Sequence, residues 1–375
     1  MKKRILIISN PLNHEGGVVN YYNLFFKYFK SEAFQLKHKS IGSRAYLFYY
    51  PVLKRFLYPF YLIYDIFTFI LLLLFDRKIV IVQVSPSLIP VPLIRDGILI
   101  LIAKILGKRT IVFYRGWKLP ILQKISSNIF LKFAFNFIFQ NGTCQFVLAS
   151  AFKNDLLDLY PLGKSNIKVT KTAIEKKGII ARESPANSGP IKVLFLARIQ
   201  NLKGIEELID AICVLNITKR LKYFQFTIAG HEDRVGYIEK LKEKLKRDGV
   251  PDEKVLFPGR VTGNKKFNMY ATHDIYILPS YTEGCPNSVL EALASGLFCI
   301  TTPVGALRDL ITPENGLLIE VKSINAITDS LLYTLSINGF NKNRLLRGKK
   351  YTDMFDISKI TQDFDYTYHE ISTKR

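Results

Sequence analysis

Short, continuous apolar runs recur along the chain, and stretches with helical spacing separate most of them. Before the middle of the sequence the runs are Ile5–Ser9, Ile79–Val84, Arg109–Phe113, Phe146–Ala149 and Ile167–Thr170. After it they are Lys192–Leu196, Phe224–Ala229, Val255–Phe257, Ile275–Leu278, Phe298–Thr301 and Leu317–Ile319. Leu93–Leu106 has the spacing of a helix. So do Ile205, Leu208, Ile209 and Ile212, with Glu206 and Glu207 in the first turn, where the helix dipole favours acids. Strands apolar on both faces and alternating with helices form parallel sheets covered on both sides. The expected class is α/β, with two Rossmann-like domains facing a cleft and ligands at the carboxyl ends of the strands. Ala181–Pro190, ARESPANSGP, is a polar break rich in Pro, Gly and Ser, and is the linker candidate. The expected division is a first domain over 1–183, a second over 190–350, and a C-terminal segment, 351–375, crossing back to the first.

With 375 residues and 48% hydrophobic content, the chain can bury two cores and is not a disordered tail. Its net charge of +22 is uneven. Residues 1–180 carry 26 Lys and Arg against 8 Asp and Glu, whereas residues 181–375 carry 27 against 23. A basic first half implies an anionic partner: nucleic acid, anionic lipid or a phosphorylated substrate. Cys144, Cys213, Cys285 and Cys299 have no metal-binding spacing and read as reduced thiols of a cytoplasmic protein. The basic start MKKR precedes an apolar run shorter than the roughly 7–15 residues of a signal-peptide core, so Ile5–Ser9 reads as a first strand.

Phe56–Phe75 is as long as a membrane span, but Pro59 and Asp65 interrupt it and leave Ile66–Phe75 uninterrupted, too short to cross. Two readings remain. One is a buried helix leading into the next strand. The other is a helix lying in a membrane interface, supported by the flanking Lys54, Arg55, Arg77 and Lys78 and by the Tyr and Phe residues between Tyr46 and Phe75.

The densest chemistry lies in Tyr281–Gly296, YTEGCPNSVLEALASG. Ser288 and Glu291 have capping-box spacing, so a local role suffices for Glu291. Glu283 has no such role. It follows the strand Ile275–Leu278, and the N–H groups of Cys285, Asn287 and Ser288 at the next helix start suit an anion. Arg198 and Lys203, after the strand Lys192–Leu196, are the candidate cations, with Gly204 opening the following helix. Gly16 and Gly17, after the first strand, allow close backbone approach to a ligand.

As a set these segments resemble the family 4 retaining glycosyltransferases (glycosyl transferases group 1), which have the GT-B fold. Glu283-Gly284-Cys285-Pro286 with Glu291 eight residues after the first glutamate resembles the E-x7-E signature. FLARIQNLKG resembles the family's G-R-x-x-x-x-K-G segment, FTIAGHED its V-G-x-G loop, and VLFPGRV its F-x-G-x-V turn. DIYILPSYTEG, ITTPVGALRDLI and NGLLIE resemble later family segments. The likeness covers most of 190–320. The first half matches only in pattern and in Gly16-Gly17.

The resemblance implies that Glu291 holds the ribose hydroxyls of a nucleotide sugar of UDP or GDP type and that Glu283 lies against the donor sugar. The amides from Cys285 to Ser288, with Arg198 and Lys203, would hold the diphosphate, and Gly284, Pro286 and Asn287 belong to the same donor-binding segment. Gly230 and the Arg260-Val261 turn would lie near the base, and Gly16-Gly17 would close on the phosphates. No cofactor and no metal are implied, because Arg and Lys supply the charge; Asp363-Phe364-Asp365, though of D-x-D form, reads as solvated surface. The implied function is retaining transfer of a sugar to a lipid-linked or surface-polysaccharide acceptor. The implied location is the cytoplasm, peripheral at the inner face of the plasma membrane on an anionic surface, with no nucleic acid.

The sequence departs from the family in two places. Arg115, in YRGW, stands where many members have His, and as an arginine it is no base but suits a phosphate or oxyanion. Lys171-Thr172-Ala173-Ile174-Glu175 replaces the family's N-G-[VI]-D segment. The rival readings are a basic nucleic-acid-binding protein, a Rossmann dehydrogenase lacking G-x-G-x-x-G, and another activity on the same fold such as a phosphorylase or epimerase.

Overall fold

The computed structural model describes residues 2–14, 16–41, 51–161, 166–179, 189–337 and 343–373, with the side chains of 51–55 excepted. The linker candidate therefore lies, but for Gly189 and Pro190, outside the described residues, as does Tyr46. The chain forms two compact units. One comprises Met1–Ala173 with Ile357–Arg375, and the other Ile174–Asp356.

The first unit runs β1 (Lys3–Ser9), α1 (Gly17–Tyr28), β2 (Phe34–Ser40), α2 (Pro51–Phe75), β3 (Ile79–Val84), α3 (Pro90–Ile105), β4 (Arg109–Phe113), α4 (Leu119–Ser126), α5 (Ile129–Phe135), β5 (Thr143–Val147), α6 (Ser150–Leu159) and β6 (Asn166–Val169). All strand pairs are parallel, in the order β2-β1-β3-β4-β5-β6. Ile5–Ile8, Ile81, Val82 and Ile111–Phe113 are buried, as strands covered on both faces require.

Three local readings change. β2, FQLKHKS, is an edge strand whose mixed Lys and His content hid it. β5 begins at Thr143 rather than Phe146, because the polar-looking Thr143, Cys144 and Gln145 are themselves buried in the sheet. α2 runs unbroken through Pro59 for 25 residues. Pro59 is exposed, and the helix forgoes one backbone hydrogen bond there.

Nor is α2 a buried helix. Asp65, Phe69 and Leu73, at helical spacing, face inward, while Phe60 is 71% exposed and Ile63, Tyr64, Phe67 and Phe75 are exposed as well. By length and composition Phe56–Phe75 meets the requirement for crossing a membrane, a test that core helices also pass. Neighbouring helices add Val91, Ile94 and Ile105 of α3 and Ile129, Phe130 and Phe133 of α5 to the exposed apolar side chains.

The second unit runs β7 (Ile191–Leu196), α7 (Ile205–Ile217), β8 (Phe224–Ala229), α8 (Tyr237–Arg247), β9 (Val255–Gly259), α9 (Gly263–Thr272), β10 (Ile275–Leu278), α10 (Asn287–Ala294), β11 (Phe298–Thr301), α11 (Leu307–Leu310), β12 (Gly316–Leu318), α12 (Ile324–Ser336) and α13 (Arg344–Met354). Its parallel sheet has the order β12-β11-β10-β7-β8-β9. Residues 174–179 belong to this unit, whereas the sequence assigned them to the first domain.

The last helix, α14 (Ile357–Thr373), belongs to the first unit. Phe364 stacks on Phe146 at 4.3 Å between centroids and meets Phe25 and Phe113 edge-on or tilted. Tyr368 donates to Gln83 Oε1 at 2.7 Å, and Glu370 pairs with Lys168 at 2.7 Å. Asp363 is exposed, while Asp365 is half-buried and lies 3.9 Å from His369, so the D-F-D segment is an amphipathic turn around a buried phenylalanine.

Candidate active site

In an open parallel sheet the crevice for a ligand lies where the strand order reverses. In the second unit that point is between β7 and β10, and in the first between β1 and β3.

At the second unit's reversal, β7 delivers Arg198 and a short 3₁₀ turn, Asn201–Lys203. Gly204 closes the turn at φ 69°, and a Cβ there would stand 2.1 Å from Pro279 O. Only glycine lets this turn lie against the end of β10. Tyr281 N–H donates to Leu202 O at 3.0 Å and locks the two loops together. Lys203 Nζ reaches Glu283 Oε1 at 2.6 Å, and Ser280 Oγ donates to the same oxygen at 2.7 Å. The Glu283 side chain is 8% exposed, so this pair is largely out of water, where a charge needs a partner. Both bonds fall on Oε1. The 283–284 backbone is held by Ala306 N–H, which donates to Gly284 O at 2.8 Å. Arg198 is exposed and makes no ion pair among the described residues.

Glu291 is not a cap. α10 starts at Asn287 with Pro286 as its N-cap residue and has no side-chain cap. Ser288 is thus the second helical position and Glu291 the fifth, more than a turn from the first free N–H groups. Instead α9 supplies its partners. Lys266 Nζ donates to Oε1 at 2.6 Å and the Tyr270 hydroxyl to Oε2 at 3.0 Å. Burial holds the Tyr270 phenol well above its ordinary pKa, so it remains a donor. Ser288 has another partner. Tyr276 Oη lies 2.9 Å from Leu196 O and 2.7 Å from Ser288 Oγ, and with one proton it donates to the carbonyl and accepts from the serine. That bridge ties the carboxyl end of β7 to the start of α10, with Asn287, Ser288, Cys285, Gly284 and Pro286 half-buried around it.

Further out, Gly230 follows β8 and its N–H donates to Gly259 O at 2.9 Å. Arg260 is exposed and Val261 half-buried beyond β9. Lys266 and Tyr270 were missed in the sequence. Their only signal was a place on the helix before β10, at a spacing of four residues.

In the first unit Gly16 is the N-cap residue of α1 and Gly17 its first residue. Arg115 follows β4. Its guanidinium lies 3.9 Å from the Tyr21 ring centroid and 4.9 Å from that of Phe113, and Nη2 donates to Thr172 Oγ1 at 2.9 Å. Thr172 belongs to the segment that departs from the family, so the two departures are in contact. Arg115 is a fixed cation rather than a mobile one.

Residues 190–336 match the family model described as Glycosyl transferases group 1. An uncharacterized glycosyltransferase of Methanocaldococcus jannaschii is 28% identical over 221 residues, 56% of this chain and 55% of that protein. A lipopolysaccharide core biosynthesis mannosyltransferase of Rhizobium meliloti is 28% identical over 138 residues, 36% of this chain and 38% of that one. The chain thus spans about half or less of the length of these curated relatives. A glycosyltransferase structure from Rickettsia africae superposes with a TM-score of 0.78 at 18% identity over 100% of both chains. The fold is GT-B.

Proposed function

From the membership of residues 190–336 in the glycosyl transferases group 1 family, and the GT-B fold of the chain, we propose that the protein is a retaining glycosyltransferase. It moves a sugar from a nucleoside-diphosphate donor of UDP or GDP type to a hydroxyl of a lipid-linked or surface-polysaccharide acceptor. The observation that carries this reading is the second unit's reversal point. A buried carboxylate, two cations and a helix N-terminus converge there at the carboxyl ends of adjacent strands. The similarity of this region to a lipopolysaccharide core mannosyltransferase supports the class of acceptor.

The chemistry follows from charge. Breaking the bond between the anomeric carbon and the β-phosphate oxygen builds negative charge on phosphate and positive charge on the ring. Arg198, Lys203 and the first N–H groups of α10 stabilise the former without a metal ion. Glu283, fixed by Ser280 and Lys203, presents its second oxygen to the donor sugar. Glu291 holds the ribose hydroxyls, with Lys266 and Tyr270 fixing its position. The acceptor hydroxyl attacks on the face the phosphate leaves, and its proton passes to the departing phosphate oxygen. Arg115 serves as an anion-stabilising group in place of a base.

The first unit is proposed to sit on the anionic inner face of the plasma membrane. The exposed aromatic and aliphatic side chains of α2, α3 and α5 enter the headgroup region, and the basic surface meets the lipid charge.

The test is a thermal-shift panel of UDP-, GDP- and ADP-sugars on the full chain, repeated with Arg198→Ala, Lys203→Ala and Glu283→Ala. Stabilisation by one nucleotide series, weakened by the first two replacements, is expected. Stabilisation by none, or turnover near normal in all three variants with the matching donor, would overturn the assignment. Product NMR reads the anomeric configuration, activity in excess EDTA reads metal independence, and flotation with phosphatidylglycerol vesicles reads membrane docking.

A further inference from the structure

Glu206 and Glu207 stand in the first turn of α7, where the helix dipole alone accounts for two acids. An acid held only by the dipole stays in water. Both of these instead reach across to neighbouring segments of the second unit. Glu206 Oε2 accepts from Asn201 Nδ2 at 2.9 Å, inside the Lys203 turn, and Oε1 accepts from the Tyr237 hydroxyl of α8 at 2.7 Å. Glu207 Oε1 accepts from the Tyr281 hydroxyl. Its Oε2 is buried and has no hydrogen-bond partner among the described residues.

Tyr281 is held at both ends. Its N–H donates to Leu202 O at 3.0 Å and its hydroxyl to Glu207, so one residue ties the loop after β10 both to the Lys203 turn and to the start of α7. Burial first, then the Glu207 carboxylate, hold the phenol above its ordinary pKa, so it donates and does not ionise. The Lys322 ammonium lies over the ring, 4.9 Å from its centroid. On one side of Tyr281 is Ser280, whose carbonyl accepts from Thr302 Oγ1 at 2.6 Å. Two residues to the other side is Glu283, whose Oε1 takes Lys203 and Ser280.

For the fold alone this arrangement is a poor one. A buried carboxylate oxygen without a donor has lost its hydration and gained no partner. Apolar groups of the same shape at both positions would hold the helix and the loop together as well or better. What the polar pair adds is direction. A hydrogen bond to a carboxylate fixes where the Tyr281 ring lies relative to the Lys203 turn, and with it the backbone that leads to Glu283. At a reacting centre a small displacement of a charged group lowers the rate strongly while changing stability little.

We propose that Glu207 and Tyr281 are a positioning pair, which holds the 281–283 segment so that Glu283 is aimed at the reacting sugar. That a sugar is what Glu283 faces rests on the glycosyltransferase reading. The brace itself rests on the bonds from Tyr281 to Leu202 and Glu207 and on the unpartnered Glu207 oxygen. Both residues act through Glu283 and have no part in bond cleavage.

Cys285, half-buried and two residues beyond Glu283, reports opening of the segment, since Cys144, Cys213 and Cys299 are buried. Its labelling by a neutral pyridyl disulfide is read by mass spectrometry on the full chain, beside melting curves, thermal shift with UDP and GDP, and transfer kinetics. Tyr281→Phe and the double variant Glu207→Met/Tyr281→Phe are expected to label about tenfold faster, the size of losing a hydrogen bond to a charged group. Both are expected to lower kcat about tenfold with donor KM changed by less than about threefold. The double variant is expected to melt within about 4 °C of the native chain, and Tyr281→Phe alone decides the case should the double variant not fold. Glu207→Gln keeps the acceptor for Tyr281 and is expected to label and turn over within about threefold of the native rates. Labelling or kcat unchanged in folded Tyr281→Phe, or Glu207→Gln as impaired as Tyr281→Phe, overturns the positioning pair. Failure of both nucleotides to stabilise the native chain overturns the glycosyltransferase reading instead, and the labelling rates then decide the brace by themselves.

Discussion

The two sheets reverse their strand order once each, and the two reversal points are built differently. In the second unit the carboxylates have partners. Glu283 has Lys203 and Ser280, and Glu291 has Lys266 and Tyr270. In the first unit the buried Asp96 carboxylate has a partner for one oxygen and, among the described residues, none for the other. In the second unit the charge left over is the exposed Arg198 and a helix N-terminus, which suits an anionic ligand.

The sharpest way to break that contrast is at Glu283. Glu283→Gln keeps the shape and the Ser280 bond but removes the charge opposite Lys203. We expect kcat to fall by about 10²–10³, the scale of losing one positioned electrostatic group, with donor affinity changed severalfold at most. Steady-state kinetics with the donor found by thermal shift checks this. A loss confined to donor KM would make Glu283 a binding residue only.

Next in size is a pair of glycines. At Gly204 an added Cβ meets Pro279 O at 2.1 Å, whereas at Gly16 it meets nothing within 4 Å among the described residues. Both have positive φ, so alanine is strained at each. Gly204→Ala should cost about 3 kcal/mol, from backbone strain plus the displaced β10 end, and Gly16→Ala about 1 kcal/mol. Differential scanning calorimetry that assigned equal losses to both would show that the contact with Pro279 does not hold the Lys203 turn.

The same contrast explains what could be read from the sequence. The strands of both sheets were legible because buried parallel strands are continuous apolar runs, and the exceptions, β2 and the start of β5, are where polar residues join the sheet. Lys203 and Glu283, which pair in the structure, stood out together with Arg198 because strand-end loops gather polar residues within a few positions. Glu291 was visible, but its capping-box spacing suggested a local partner, and α9 won because α10 begins one residue ahead of that serine. Asp96 was invisible. It sits inside an apolar helix beside Arg95, and it lines a cavity with Ser9 and Ser85, far away in sequence and adjacent only once β1 and β3 pair.

A smaller effect separates the units by pH. The Asp96 carboxyl is raised by burial to about 6, against 3.8 when exposed. The folded state therefore binds its proton more tightly than the unfolded chain. The stabilisation is full below about pH 4 and is lost as pH rises through 6. Between pH 5 and 7.5 the native chain should lose about 1.4 kcal/mol relative to Asp96→Asn. Paired melts of the two proteins at both pH values check this, and a pH-independent difference would mean that Asp96 does not titrate in this window.

The smallest expected effect is at Glu291. If its carboxylate takes the ribose hydroxyls, binding must share them with Lys266 and Tyr270, which already occupy both oxygens. The net gain is then an exchange of partners rather than a new pair, worth about 1–1.5 kcal/mol. The native chain should prefer the ribonucleoside diphosphate over its 2′,3′-dideoxy form by about tenfold. Glu291→Ala should bring the two to near equality by weakening only the former. Tyr270→Phe, which removes one donor and keeps the charge pair, should leave the preference in place. Calorimetric titration of both nucleotides against the three proteins separates the cases. If Glu291→Ala weakens both nucleotides alike, the residue holds α9 against α10 and does not read the sugar.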